Sequence, residues 1–268
     1  MKIYRDTVVA GKTILRMLKP STRIYNKKGE KRAPKIKPSS DAVKKINLMN
    51  AERKLTMILN HNFRDGDFHL TLTYKDIPTP EEAKKALSKF TRNLRNHAKK
   101  EGIDFKWVAV TEGMNKRIHH HFVCTALDPT ILSKYWDKGW VNIKQMDDSG
   151  NYFKLANYLI KETDKTFREP ESVQKRRYST SRNIEIPEVK REIVSDRELY
   201  KELQPIKGYQ IDQDSVRRYE HSILGVECLE YIMIAIDKPI KKYKKGSSIK
   251  WEKHYKEDWV IQESFDYD

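Results

Sequence analysis

Three consecutive histidines, His119 to His121, are the residues of this chain best suited to hold a metal ion. The alternation around them predicts a strand over residues 118–125. Strand side chains alternate between the faces of a sheet, so His119 and His121 are expected on one face, about 7 Å apart along the chain, and His120 in the opposite layer. Two neutral imidazoles on one face can share a divalent metal. Two partly exposed histidines without a metal are the alternative.

Glu112 is a candidate third ligand. It ends a predicted strand over residues 105–111, and residues 112–117 are typical of a turn. The two strands then form a hairpin that returns Glu112 beside His119. One carboxylate and two imidazoles leave open coordination positions, as a catalytic metal requires. The hard carboxylate favours Mg²⁺ or Mn²⁺, although imidazoles would also hold zinc.

A helix predicted over residues 151 to about 163 carries a candidate nucleophile, Tyr158. A tyrosine hydroxyl near a metal can attack a phosphodiester and form a covalent phosphotyrosyl link. Tyr158 lies on a polar stripe whose other members are Lys154, Lys161 and Lys165. Lys161, one turn beyond Tyr158, is placed to contact the same phosphate. A surface tyrosine on a basic helix is the alternative, and Tyr152 is a rival nucleophile on the buried arc.

The charge balance favours a polyanionic partner. The 268-residue chain carries a formal net charge of +16 and has a pI near 9.6. Residues 1–50 hold 14 Lys or Arg against 3 Asp or Glu, and we interpret them as a basic N-terminal arm that contacts phosphates. A solvated leader, a merely basic protein and a binder of anionic membrane are the alternatives.

Cysteine use and hydropathy narrow the classes further. Cys124 and Cys228 lie far apart, which argues against a cysteine zinc site and against a disulfide scaffold. The N-terminus lacks the apolar stretch of a signal peptide. The longest apolar run, residues 231–236, is too short to cross a bilayer. We therefore expect a cytoplasmic protein without a membrane partner.

The predicted elements from residue 68 onward follow the order strand, helix, strand, strand, helix, strand, helix. Residues 79–82 predict a helix start, with an N-cap Thr, a Pro and a Glu three residues after the cap. This order predicts an α+β fold with a central antiparallel sheet of the ferredoxin-like, split βαβ type. Helices are expected to cover one face and leave the other for the site. A further helix is predicted over residues 41–61, and a strand over 226–236.

The sequence resembles the HUH endonucleases, and within them the rolling-circle replication initiators of plasmids and single-stranded DNA phages. The resemblance covers roughly residues 66–187 and depends on the order of its motifs. Residues 68–73 (FHLTLT) resemble the first strand motif, residues 117–123 (RIHHHFV) the His-hydrophobic-His motif and residues 158–161 (YLIK) the Tyr-x-x-Lys motif. Residues 176–183, followed by Pro187, are similar to a trailing segment of phage-type initiators. His120 departs from the aliphatic residue of the family motif, which leaves a second ligand register open.

The resemblance implies a HUH endonuclease domain over residues 51–187 that nicks single-stranded DNA at an origin or hairpin and rejoins it by strand transfer. A single motif tyrosine implies that a second protomer, as in a homodimer, or water performs the other cleavage. No Walker A loop is present in the sequence, so a host helicase and polymerase are expected partners in a bacterial cell. The candidate DNA contacts are Lys154, Lys165, Arg117, Arg176, Arg177 and Arg182.

Several interpretations stay open from the sequence. Residues 188–256 form an extension that serves dimerisation, origin specificity or packing on the sheet, and residues 257–268 form an acidic tail. A relaxase or a transposase would use the same chemistry on other DNA. A non-catalytic basic DNA-binding protein and a metal-dependent RNA hydrolase that uses water belong to different classes.

Overall fold

The computed structural model describes residues 2–20, 41–113, 117–166 and 176–236, apart from the side chains of residues 164–166. All of these residues lie in one compact unit. The basic stretch at residues 27–38 and the predicted acidic tail lie outside the described residues. No described helix combines the length and the apolar character needed to span a membrane.

Ten strands and four α-helices make up the described chain. The strands are β1 (Ile3–Ala10), β2 (Thr13–Pro20), β3 (Phe68–Leu72), β4 (Trp107–Glu112), β5 (His119–Cys124), β6 (Val141–Gln145), β7 (Ser179–Thr180), β8 (Val189–Val194), β9 (Tyr209–Glu220) and β10 (Glu227–Ala235). The helices are α1 (Asp41–Asn62), α2 (Pro80–Lys100), α3 (Pro129–Tyr135) and α4 (Phe153–Thr166), and a short 3-10 helix spans Asp196–Leu199.

The first sheet has the strand order β6-β3-β5-β4-β7, and all of its pairings are antiparallel. From β3 to α4 the elements follow the predicted order, and the α+β fold with a central antiparallel sheet is confirmed. The predicted start of α2 is also confirmed. Thr79 accepts a hydrogen bond from the Glu82 N–H, and the Glu82 carboxylate accepts one from the Thr79 N–H, which closes a capping box.

Helices cover both faces of the first sheet, so the expectation of one open face is wrong. On one face Phe122 packs with Phe90 of α2 and Leu132 of α3. On the other face Val123 packs with Leu59 of α1 and with buried residues of α4. Helix α1 precedes β3 in the chain, and its apolar pattern alone did not indicate which layer it would cover. The site must therefore lie beside helix α4, at the margin of a covered face.

The second sheet has the order β8-β1-β2-β10-β9 and joins distant parts of the chain. The interpretation of residues 1–50 as a basic arm is wrong for residues 3–20, which form a hairpin in the middle of this sheet, and for residues 41–50, which lie in α1. Buried apolar side chains alternate with charged ones along the hairpin, and part of the charge is paired. The carboxylate of Asp6, for example, lies 2.9 Å from the Lys19 ammonium. A charge count does not register this alternation.

The hairpin turns at Gly11, where the backbone adopts φ +56°. A Cβ at this position would lie 2.1 Å from the carbonyl oxygen of Asn60 in α1, so only glycine fits both the turn and the close approach. The Asn60 side chain donates to the Thr13 hydroxyl and accepts from the Tyr152 N–H at the start of α4. One buried amide thus connects the second sheet to both helices of the layer beneath it.

Residues 189–235 of the predicted C-terminal extension supply β8, β9 and β10 of the second sheet. They do not extend the first sheet. One face of the second sheet packs on Met57 of α1 and Phe153 of α4, and the other is covered by Leu199 of the 3-10 helix and its neighbours. The described part of the extension therefore has a packing role, and it forms the layer that supports α1 and α4 from behind.

Candidate metal centre

The hairpin of β4 and β5 brings the predicted ligands together. Glu112, the last residue of β4, pairs directly with His119, the first residue of β5. Gly113 follows with φ +74°, and a Cβ there would lie 2.2 Å from the Arg117 carbonyl oxygen. Strand alternation then places Glu112, His119 and His121 on one face of the sheet. The predicted hairpin geometry is confirmed.

The Glu112 carboxylate lies between the two imidazoles. Its Oε2 is 3.2 Å from Nε2 of His119, and its Oε1 is 3.3 Å from Nε2 of His121. One ligand atom from each residue lies within 4.8 Å of the other two. The side chains of Glu112 and His121 are buried, and that of His119 is 28% exposed. The cluster is therefore closed on the protein side and accessible at His119.

Two atoms of this cluster fit a bound cation. Glu112 Oε1 and His121 Nε2 are buried and have no hydrogen-bond partner within the described part of the chain. Leaving buried polar atoms unsatisfied costs about 1–3 kcal/mol each, and such atoms commonly mark an ion site. One carboxylate oxygen and two imidazole nitrogens form a donor set that suits a divalent metal. The three residues therefore constitute a candidate metal centre.

The electrostatics of the cluster favour an ionised carboxylate. Burial alone would raise the pKa of Glu112, but hydrogen bonds from His119 and His121 and their positive charge lower that pKa to about 2. The hydrogen bond to Glu112 is also the main cause of a raised pKa at His119. Glu112 is therefore anionic over the whole neutral range, which is the form that binds a cation.

His120 lies on the opposite face, as predicted. Its Nε2 is 2.7 Å from the Tyr74 hydroxyl, and its Nδ1 is 2.8 Å from the Thr111 hydroxyl. Burial and the charge of the neighbouring histidines lower the pKa of His120 to about 3. Both ring nitrogens are occupied within the core. The second ligand register, which would have used His120, is therefore inconsistent with the structure.

A fourth histidine, His69, adjoins the cluster and was not among the predicted site residues. It lies on β3 and is buried, with its Nε2 3.1 Å from Nδ1 of His121. The two imidazole rings are stacked with centroids 5.2 Å apart. Burial is the main cause that lowers the pKa of His69 to about 3, so its ring is neutral. The one signal in the sequence was a histidine within an alternating strand motif.

Helix α4 brings Tyr158 to the cluster. Buried Leu155, Leu159 and Ile160 hold the helix against the sheet, and Tyr158 is 36% exposed. Its ring meets His121 edge-on, with centroids 5.4 Å apart and an interplanar angle of 90°. The rival Tyr152 is buried and donates its hydroxyl hydrogen to the Asp147 carbonyl. Of the two tyrosines considered, Tyr158 is the one beside the metal centre.

The predicted DNA contacts are spread around this region. Lys154 forms an exposed ion pair with Asp214 at 3.0 Å, while Lys161 is exposed on the next turns of α4. Arg117 is exposed beside the cluster and donates to the Tyr74 carbonyl at 3.3 Å. The remaining candidates are Lys165, whose side chain lies outside the described residues, and the exposed Arg176, half-buried Arg177 and exposed Arg182 around β7.

Fold and site together define an α+β protein with a candidate divalent-metal centre and an adjacent tyrosine. Residues 67–167, from the start of β3 to the end of α4, match the model of a family of replication-associated proteins, the ORF2 family. No curated protein and no solved structure shows a significant match to the chain. The family match supports a Rep-type protein of rolling-circle replication and agrees with the resemblance found in the motifs.

Proposed function

We propose that this protein is a replication initiator that nicks single-stranded DNA by covalent attack of Tyr158. The observation that carries the proposal is the edge-on contact between Tyr158 and His121, which places a phenol beside the metal centre. The phenolic oxygen forms a bond to the scissile phosphorus, and the bond from phosphorus to the 3′ oxygen breaks. The 3′ oxygen takes up a proton, so the products are a 5′-phosphotyrosyl link and a free 3′-hydroxyl.

Glu112, His119 and His121 would hold the divalent metal, Mg²⁺ or Mn²⁺ by the preference of a carboxylate for hard cations. Such a metal supplies positive charge to a nonbridging phosphate oxygen. Helix α4 keeps Tyr158 at a fixed distance from this position, because its buried face is packed on the sheet. Lys161 follows one turn later on the exposed side and is placed to neutralise the same phosphate.

Sheet register indicates where the DNA strand would lie. The Thr73 N–H donates to the Trp140 carbonyl at 3.0 Å, which continues the pairing of β3 with β6 by one residue. Val141 packs on the α2 side of the sheet, so alternation places the Trp140 side chain on the metal face, about 10 Å and two strands from His119. Trp140 is 66% exposed. We assign it as a stacking platform for a base next to the scissile phosphate.

The same chemistry fits a cycle of origin nicking and strand transfer in the cytoplasm of a bacterial cell. The phosphotyrosyl link retains the bond energy of the phosphodiester, so rejoining requires no ATP. One motif tyrosine per chain calls for a second protomer or water at termination, and host helicase and polymerase would supply unwinding and synthesis. The family match favours an initiator over a relaxase or a transposase with the same chemistry.

The test is formation of a covalent protein–DNA adduct. Wild-type protein is incubated with single-stranded DNA and Mn²⁺, and SDS-resistant adducts are counted on a denaturing gel. We expect an adduct with wild type and with Tyr152→Phe, and none with Tyr158→Phe. Tyr152→Phe is the matched control, because it removes a phenolic hydroxyl from the same helix start without touching the metal centre.

Two results would contradict the proposal in different ways. Cleavage that persists in Tyr158→Phe without an adduct indicates a hydrolase that uses water. Tight DNA binding with no cleavage under any divalent metal indicates a non-catalytic DNA-binding protein.

A further inference from the structure

His69 lies behind His121, on the side of that imidazole away from Glu112. The Nε2 atom of His121 faces Glu112, and the Nδ1 atom faces Nε2 of His69 at 3.1 Å. The register explains the placement, since Thr71 pairs with His121 and His69 lies two residues earlier on the same face of β3. His69 does not belong to the group of three ligands that converge within 4.8 Å.

A neutral histidine pair of this kind can share its hydrogen in two ways. If Nδ1–H of His121 donates to His69, Nε2 of His121 keeps its lone pair toward Glu112 and can bind a cation. If Nε2–H of His69 donates instead, the hydrogen of a neutral His121 is on Nε2 and blocks the metal position. The direction of one hydrogen bond therefore decides whether His121 is a ligand.

We propose that His69 is a positioning residue that accepts the Nδ1–H of His121 and so holds His121 in the tautomer and orientation that bind the metal. This inference rests on the proposed metal site. Metal-bound histidines usually donate their second N–H to a carboxylate, a carbonyl or water. Here a buried imidazole takes that place, and its stacking on His121 also restricts rotation of the ring.

Two substitutions separate acceptor chemistry from packing. In His69→Gln the amide oxygen can occupy the position of Nε2 and accept the same hydrogen bond. In His69→Met a side chain of similar length fills the space but leaves Nδ1–H of His121 without a good acceptor. His120→Met is the matched control, because it removes an equally buried histidine of the neighbouring strand that contacts the opposite face.

The measurement is Mn²⁺ binding to the purified protein without DNA, by titration calorimetry. We expect His69→Met to weaken binding by about 10- to 100-fold. His69→Gln should stay within about threefold of wild type, since the acceptor is retained. His120→Met should lower the melting temperature but leave Mn²⁺ affinity nearly unchanged. In Zn²⁺-loaded protein, long-range ¹H–¹⁵N spectra should show the proton of His121 on Nδ1.

Unchanged Mn²⁺ affinity in His69→Met would overturn the role of His69, as would equal loss in His69→Gln and His69→Met. If wild type binds no Mn²⁺, the metal centre and the role of His69 both fall. If the Mn²⁺ results are as expected but no Tyr158 adduct forms, the nicking proposal fails and the role of His69 stands.

Discussion

The ring of Tyr158 stands edge-on to the imidazole of His121, with centroids 5.4 Å apart and planes at 90°. His121 thus contacts three functional groups: the Glu112 carboxylate, the His69 imidazole and the Tyr158 phenol. The edge of one aromatic ring carries partial positive charge and the face of another partial negative charge, which stabilises this arrangement by about 0.5–1.5 kcal/mol. A change at His121 is therefore expected to affect both the metal centre and the nucleophile.

His121→Ala should abolish Mn²⁺ binding and covalent adduct formation while sparing DNA affinity. It deletes a ligand outright, so the loss of metal affinity should exceed about 100-fold, the upper end of what changes behind a ligand produce. DNA affinity depends mainly on phosphate contacts by basic residues, which this substitution leaves in place. The adduct gel and anisotropy of a labelled oligonucleotide measure the two quantities. A full level of adduct from His121→Ala would rule out this residue as a metal ligand.

His120→Met should destabilise the fold without disturbing the metal centre. The substitution leaves the buried hydroxyls of Tyr74 and Thr111 without their imidazole partner. We expect the free energy of unfolding to fall by about 2–4 kcal/mol, since each unsatisfied buried group costs about 1–3 kcal/mol. Urea unfolding followed by circular dichroism measures this change. Loss of Mn²⁺ binding in a protein that still folds would make His120 a candidate ligand again.

Trp140→Ala should weaken binding of single-stranded DNA by about 10-fold, because stacking of one base contributes about 1–3 kcal/mol. Binding is best measured by anisotropy at fixed salt in the Tyr158→Phe background, where no covalent adduct forms. Tyr200→Ala is the matched control, since Tyr200 is 71% exposed and follows the 3-10 helix that covers the second sheet. Equal affinities of the two variants would remove Trp140 from the DNA path.

Stability should depend on pH through Asp6, a 1% exposed carboxylate in β1. Burial alone would raise the pKa of Asp6, but hydrogen bonds from Arg191 and Lys19 and their charges lower it. Because the folded-state pKa lies below the unfolded value of about 3.9, the stabilisation is fully present above about pH 4 and is lost as pH falls through the folded pKa.

Comparison of wild type with Asp6→Asn tests this dependence. The difference in free energy of unfolding should be about 1–3 kcal/mol near neutral pH, as for hydrogen bonds to charged groups. It should shrink steadily on acidification below about pH 4. A difference that does not change with pH would mean that Asp6 acts through packing and not through its charge.

The parts of the site that were predictable from sequence depend on neighbours close in the chain. The β4–β5 hairpin needs only a short turn, so the proximity of Glu112 and His119 follows from strand alternation. His69 and His121, by contrast, are 52 residues apart, and their contact depends on which strand lies beside β5. The ion pair of Lys154 and Asp214 is equally non-local. Periodicity predicts elements, but it does not predict which distant elements are neighbours.

The second sheet was missed for the same reason. Its hairpin, residues 3–20, resembles a basic arm when charges are counted, because its apolar residues are buried only once β8 and β10 lie beside it. Residues 226–236 were predicted as a strand, but their partner β2 precedes them by about 200 residues. The number of layers over the first sheet likewise depends on α1, whose position is fixed by the second sheet.

The central place of the residue 3–20 hairpin has a consequence for synthesis of the chain. The hairpin leaves the ribosome first, but its lateral partners, β8 and β10, are made only after every element of the metal centre. At roughly 10 residues per second, both of its edges stay open for on the order of 20 seconds. Exposed strand edges invite pairing with other chains. A nascent chain is thus most prone to aggregation while the metal-binding half is already complete.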